Sequence, residues 1–182
     1  MKSFITRKLE QLLERLFTSR SEFYTFECTI GWYGSEVVDC IMYNCNRETV
    51  CYEIKSSVAD FRSGHAWTFI GNRNYFVMPL SVYEKVKDDI PKHVGVYVAI
   101  DRAEQISEQT PRGVQYRAEF IDGLRSLHCI KSCRKVELRA DKEVILSSML
   151  RCMQRDRARG YVLPPFDDPA EQEKQIEDPT FD

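Results

Sequence analysis

"TVCYEIKSSVADF", residues 49–61, is the stretch on which the reading of this chain turns. Its first seven residues form an apolar run of strand type, yet Glu53 and Lys55 stand in it two positions apart. Side chains of a strand alternate between faces. Glu53 and Lys55 therefore project to the same side as Cys51, while Val50, Tyr52 and Ile54 point the other way. A charge inside an apolar strand is costly unless it is paired or put to use. The simplest use is a cross-strand ion pair on a surface strand, worth about 0.5 kcal/mol.

A second acid suggests more. The preceding run, "SEVVDCIMY" (35–43), carries Asp39 near its middle, and the turn-like "NCNRE" separates it from residues 49–55. A hairpin about residues 44–48 sets Asp39 roughly opposite Glu53, so two carboxylates and one ammonium meet on one patch of sheet. Acids that close repel unless a cation lies between them. A hard divalent ion that prefers oxygen ligands, Mg²⁺ or Mn²⁺, meets that need. The lysine would then hold and polarise a water for attack on a phosphodiester.

Outward from this pair, residues 4–17 have the spacing of an amphipathic helix, with Ile5, Leu9, Leu12, Leu13, Leu16 and Phe17 on one face and Ser3 as N-cap. "EFYTFECTI" (22–30) precedes the two strands already named, and short turns make the three a meander. A helix is expected from Val58 to Ile70, opened by a capping box of Ser57 and Asp60. "NYFVMP" (74–79) reads as a fourth strand, 80–90 as a short helix, and "VGVYVAI" (94–100) as a strand covered on both faces. Residues 101–126 are polar and irregular, 127–138 read as a further strand, bent or paired as a hairpin, and a helix runs from Asp141 to Arg159 with Gly160 as its stop. The result is an α/β fold with a mixed central sheet flanked by helices.

The pattern D-x13-E-x-K, with strands on both sides and a helix after it, resembles the PD-(D/E)XK nuclease superfamily. The likeness is to its MmcB-like branch of DNA-repair proteins, on "VVDCIMY", "YEIKSSVADF", Trp67, "NRNYFVMP" and "IPKHVGVYVA" across about residues 35–100. Val38 stands in place of the proline, which many members of that superfamily also lack. The resemblance implies a restriction-endonuclease-like αβββαβ core and metal-dependent hydrolysis of DNA. It makes Asp39 and Glu53 metal ligands for Mg²⁺ or Mn²⁺, the Ile54 backbone carbonyl a third, and Lys55 the catalytic lysine. The superfamily often adds a glutamate from the first helix, and Glu10 fits that place better than Glu14. Asn72 stands where many relatives carry an acid. A catalytically silent module of the same fold, binding nucleic acid or a protein partner, is the alternative function.

Length and composition agree with one domain over residues 1–163, followed by an acidic tail. The tail, 164–182, holds seven acids and one lysine, which leaves +4 on the body from a total of −2. That mild basicity is compatible with a nucleic-acid partner. A phosphate-contacting edge would draw on Arg151, Arg155, Arg157 and Arg159 of the last helix, with Lys131, Arg134, Lys135 and Arg139 adding to it; the alternative is a solvated helix end. The seven cysteines sit singly in apolar runs and read as free thiols of a reducing compartment. His128, Cys129 and Cys133 lack the spacing of a zinc site. No window reaches the ~18 apolar residues of a membrane span, and the charged N-terminus is no signal peptide, so a cytoplasmic protein without membrane contact is expected. Homodimerisation is open. Trp67, Tyr75 and His65 read as packed residues, and "GWYG" (31–34) puts Trp32 and Tyr33 at a turn tip, either as a contact surface or as a cap over the core.

Overall fold

The computed structural model describes residues 2–18, 22–34, 36–63, 67–100, 108–110, 113–115, 126–158 and 160. The readings of the tail, of His65 and of Arg159 fall outside these residues. Helix α1 (Phe4–Thr18) opens where Ser3 Oγ accepts the Thr6 amide at 3.1 Å. Leu9, Leu12, Leu13 and Phe17 are buried along it, while Ile5 on its first turn stays 39% exposed. Strands β1 (Phe23–Thr29), β2 (Val37–Tyr43) and β3 (Thr49–Ile54) form the antiparallel meander. Strand β3 then pairs in parallel with β4 (Arg73–Pro79), and β4 with β5 (Gly95–Ile100).

Beyond β5 lies a small hairpin, β6 (Glu108–Thr110) with β7 (Gly113–Gln115), in the stretch whose polarity suggested a loop. Strand β8 (Ser126–Lys131) closes the main sheet antiparallel to β5, with a register shift at Val96/Tyr97. The six-stranded order is β1-β2-β3-β4-β5-β8. After β8 the chain crosses the sheet end where β4 and β5 begin. It is held there by Arg134 N–H to His93 O, Val136 N–H to Asn72 O and Arg139 N–H to Ile70 O.

Alternation along β3 sorts the core. Val50, Tyr52 and Ile54 face Leu9, Leu13 and Phe17 of α1. Cys51 faces the other layer, where Ile145, Met149 and Cys152 of α4 (Lys142–Ala158) pack on Cys28 and Ile41. Helix α4 begins at Asp141, whose Oδ1 accepts the Glu143 and Val144 amides. Helix α3 (Leu80–Val86) covers the rest of that layer, over Phe76, Met78, Val96 and Val98. The architecture is α/β, a mixed sheet between helices, in the expected order αβββαβ. Among the described residues no helix is long and apolar enough to cross a membrane.

One element differs from its sequence pattern. The helix expected over 58–70 is a single turn, α2 (Val58–Phe61). Phe61 and Phe69 have helical spacing, but the chain instead turns Trp67 and Phe69 onto Phe76, with ring centroids 5.0 Å apart in both pairs. The Thr68 amide, which a helix would use internally, donates to Glu53. Tertiary packing and one carboxylate overrule local periodicity.

Candidate active site

The registers place three acids in a row. Pairs Phe26↔Cys40 and Cys28↔Val38 bracket Glu27 and Asp39, and the pair Cys40↔Tyr52 sets Asp39 against Glu53 one step further on. Like charges on adjacent strands destabilise a sheet, and the backbone yields here. Glu27 takes a left-handed conformation, φ 47°, which a residue with a side chain adopts only at a cost. The Ile54 amide on β3 donates to Asp39 Oδ2 at 2.8 Å, so a side chain stands where a ladder would offer a carbonyl.

Lys55 ends the strand. Its amide still bonds Val77 O at 2.9 Å, which keeps β3 joined to β4 while β2 parts from it. The Lys55 ammonium lies 3.5 Å from Glu53 Oε2, and Glu53 Oε1 accepts the Thr68 amide at 3.2 Å. Both side chains are buried. The following turn is fixed by Ser57, whose Oγ accepts the Asp60 amide at 3.0 Å as a helix cap. The Asp60 carboxylate reaches back to the amide and hydroxyl of Ser56 at 2.8 and 3.2 Å.

Helix α1 brings Glu10 to the same place, 2% exposed. Its Oε1 takes the Lys2 ammonium at 2.6 Å, and Lys2 also reaches Glu27 at 2.8 Å. The other oxygen, Oε2, is buried and has no hydrogen-bond partner among the described residues. Asp39, Glu53, Lys55, Glu10, Lys2 and Asp60 line one cleft of about 390 Å³. It opens at the carboxyl end of β3, the sheet edge where α/β folds place ligands.

The cleft's acids outnumber its bases. Burial pushes the Glu53 carboxyl up to about 7, with the Asp39 charge adding to it. Burial also raises Asp39, although the Ile54 N–H pulls the other way, and it raises Glu10 against the pull of Lys2. Burial works against the Lys2 charge, but its hydrogen bonds to Glu10 and Glu27 outweigh that and its pKa rises. Such a group of acids calls for protons or a cation.

The residues fit a hard divalent ion. Asp39 and Glu53 offer two carboxylates and Glu10 an unpartnered oxygen, all oxygen donors. Among the described residues, no group of three or more His, Cys, Asp or Glu side chains is placed to hold an ion as it stands. Two carboxylates with a backbone carbonyl, water and substrate phosphate is the ligand pattern in which Mg²⁺ is commonly held.

The remaining candidates lie elsewhere. Arg151 donates to Thr29 O and Gly31 O, both at 2.8 Å, and Arg155 to Phe26 O, Glu27 O and Asp156. Lys131 is bonded to Pro91 O at 2.9 Å, and Arg134 is exposed near His93. None of the four lines the cleft, and three serve the chain's own carbonyls. Asn72 ties Thr49 N–H to Val136 O at the opposite sheet end. Trp67 and Tyr75 pack in aromatic clusters, Tyr75 with Tyr52 and Tyr97. His128 pairs with Ser126 at 2.9 Å. Lys2, Glu27 and Thr68 escaped the sequence reading. Glu27 alone had a legible signal, since extending the hairpin register to β1 puts it beside Asp39.

No protein family and no curated protein matches the chain. A solved structure does. A protein of unknown function from Silicibacter pomeroyi is similar with a TM-score of 0.61 at 14% sequence identity, over 87% of this chain and 94% of that one. At that identity the likeness concerns the fold.

Proposed function

We propose that the protein is a metal-dependent nuclease of PD-(D/E)XK type that hydrolyses phosphodiester bonds in DNA. The observation that carries the reading is the Asp39–Glu53–Lys55 cluster at the carboxyl end of β3, a buried carboxylate and a buried ammonium beside the half-buried Asp39 carboxylate. Asp39, Glu53 and the Ile54 carbonyl would hold Mg²⁺ or Mn²⁺, with Glu10 as a further oxygen donor. Bound there, the ion would polarise the phosphoryl oxygens and generate the nucleophile at neutral pH. Asp39 holds the Ile54 backbone through its amide, so the strand end and the carboxylate keep one geometry. Glu53 is fixed by the Thr68 N–H. Lys55 orients the attacking water and, as a cation, offsets the charge that develops on the phosphoryl group.

The test is a cleavage screen with Mn²⁺ over single-stranded, duplex, branched and damaged DNA and over RNA, wild type beside Lys55→Ala. Cleavage that falls by about 10²–10⁴ in the variant supports the reading. Undiminished cleavage by the variant refutes it. No cleavage of any substrate by the wild type leaves the fold as a binding module.

A further inference from the structure

The tip of the β1–β2 loop is tied to α4 and leaves two aromatic rings in solvent. The Ile30 amide bonds Glu36 O at 3.0 Å and closes the loop. The Gly31 amide donates to Ser148 Oγ at 2.9 Å, and Arg151 from α4 clamps Thr29 O and Gly31 O. Gly31 sits at φ 77°, and a Cβ at Gly34 would overlap the Ile30 carbonyl oxygen, so both glycines of "GWYG" are required by this shape. Yet Trp32 is 77% exposed and Tyr33 fully so. Burial of such rings is favourable, and this loop forgoes it.

The loop joins the carboxyl end of β1 to the start of β2. It therefore lies at the sheet end where β3 delivers Glu53 and Lys55. Val37, the first residue after the loop in β2, lines the cleft and is 44% exposed. The Arg151 guanidinium stands 5.0 Å from the Trp32 ring centroid, which leaves a positive charge under the ring. A flat ring backed by a cation on one face, near the proposed phosphodiester site, offers its other face to a nucleobase.

We infer that Trp32 and Tyr33 form a stacking platform for unpaired bases, so that the strand entering the cleft is single-stranded or locally opened. The inference rests on the proposed phosphodiester site and narrows its substrate. Paired bases in a duplex present no free face to the rings. A second copy of this chain, docked through the same rings, is the competing occupant.

The experiment uses the full chain in EDTA, so that binding is read without cleavage. Fluorescence anisotropy of a labelled 20-nucleotide single strand and of its duplex is compared for wild type, Trp32→Ala/Tyr33→Ala and Trp32→Phe/Tyr33→Phe. Stacking removed by alanine substitution costs roughly 1–3 kcal/mol per base, about five- to 150-fold. The alanine variant is expected to lose at least tenfold in single-strand affinity and less than threefold for duplex, and the phenylalanine variant to keep most of it. Equal single-strand binding by wild type and alanine variant overturns the inference, as does no binding by the wild type or an equal loss on duplex. A wild-type dimer in sedimentation that the alanine variant dissolves overturns it in favour of the second copy. Ring-dependent binding by a chain that cleaves nothing would leave the platform standing and remove the nuclease reading.

Discussion

Strand β3 carries a glutamate cluster at each end, and the two are built oppositely. Before its first residue, Glu48 is held by Arg73 at 2.7 Å and by Lys135 at 2.8 Å. The hydrogen bond from Arg73, then that from Lys135, draws its carboxyl down to about 2. Near its last residue, Glu53 has one ammonium at 3.5 Å and faces Asp39, and its carboxyl is pushed up to about 7. The first cluster has more bases than acids and ties β3, β4 and the crossing segment together. The second has more acids than bases and opens into a cleft. Charge that completes itself belongs to structure, and charge left incomplete in a buried place belongs to a ligand.

The two ends of β3 should differ most in their effect on cleavage. Asp39→Asn keeps an acceptor for the Ile54 amide but removes a ligand charge, so cleavage should fall by about 10² or more, a loss of roughly 3 kcal/mol in transition-state stabilisation. Metal-free stability should hold or rise in the same variant, read by urea melts at pH 8. Arg73→Met should leave cleavage within twofold. A variant of the Glu48 cluster that abolishes cleavage with the fold intact would erase the distinction.

The next effect is in pH. Glu53 has a folded pKa raised above its unfolded value near 4.5, so the folded state holds the extra proton between about 4.5 and 7. Stability contributed there is present below pH 4.5 and lost as pH rises through 7, by about 3 kcal/mol without divalent ions. Glu48 runs the other way: its contribution is present above 4.5 and lost as pH falls toward 2. Urea midpoints across pH should show both limbs, with Glu53→Gln flattening the first and Glu48→Gln the second. Exchange of these assignments would contradict the account.

The smallest effect is on the paired end. Arg73→Met leaves Glu48 with Lys135, and the partly exposed pair limits the loss to ~1 kcal/mol, a fall of about 2–4 °C in Tm.

Much of this was legible in the sequence because strand alternation and a short turn determine register. Five residues between two apolar runs suffice to bring Asp39 and Glu53 together, and alternation puts Lys55 beside Glu53. Residues 58–70 carry a helical pattern because Phe61 and Phe69 keep a helical interval, while the demand for the Thr68 amide arises from a carboxylate fifteen residues earlier. Arg151 and Arg155 looked available for phosphate, since the carbonyls they serve lie about 120 residues away in the chain. Lys2 gave no signal, because its partners Glu10 and Glu27 meet only when α1 lies on the sheet.

The most direct measurement is a calorimetric titration of Mn²⁺ into the metal-free protein at pH 7.5, wild type beside Asp39→Asn/Glu53→Gln. The account predicts saturable binding by the wild type, lost in the double variant, with both chains folded. No binding by the wild type, or equal binding by both, would contradict it.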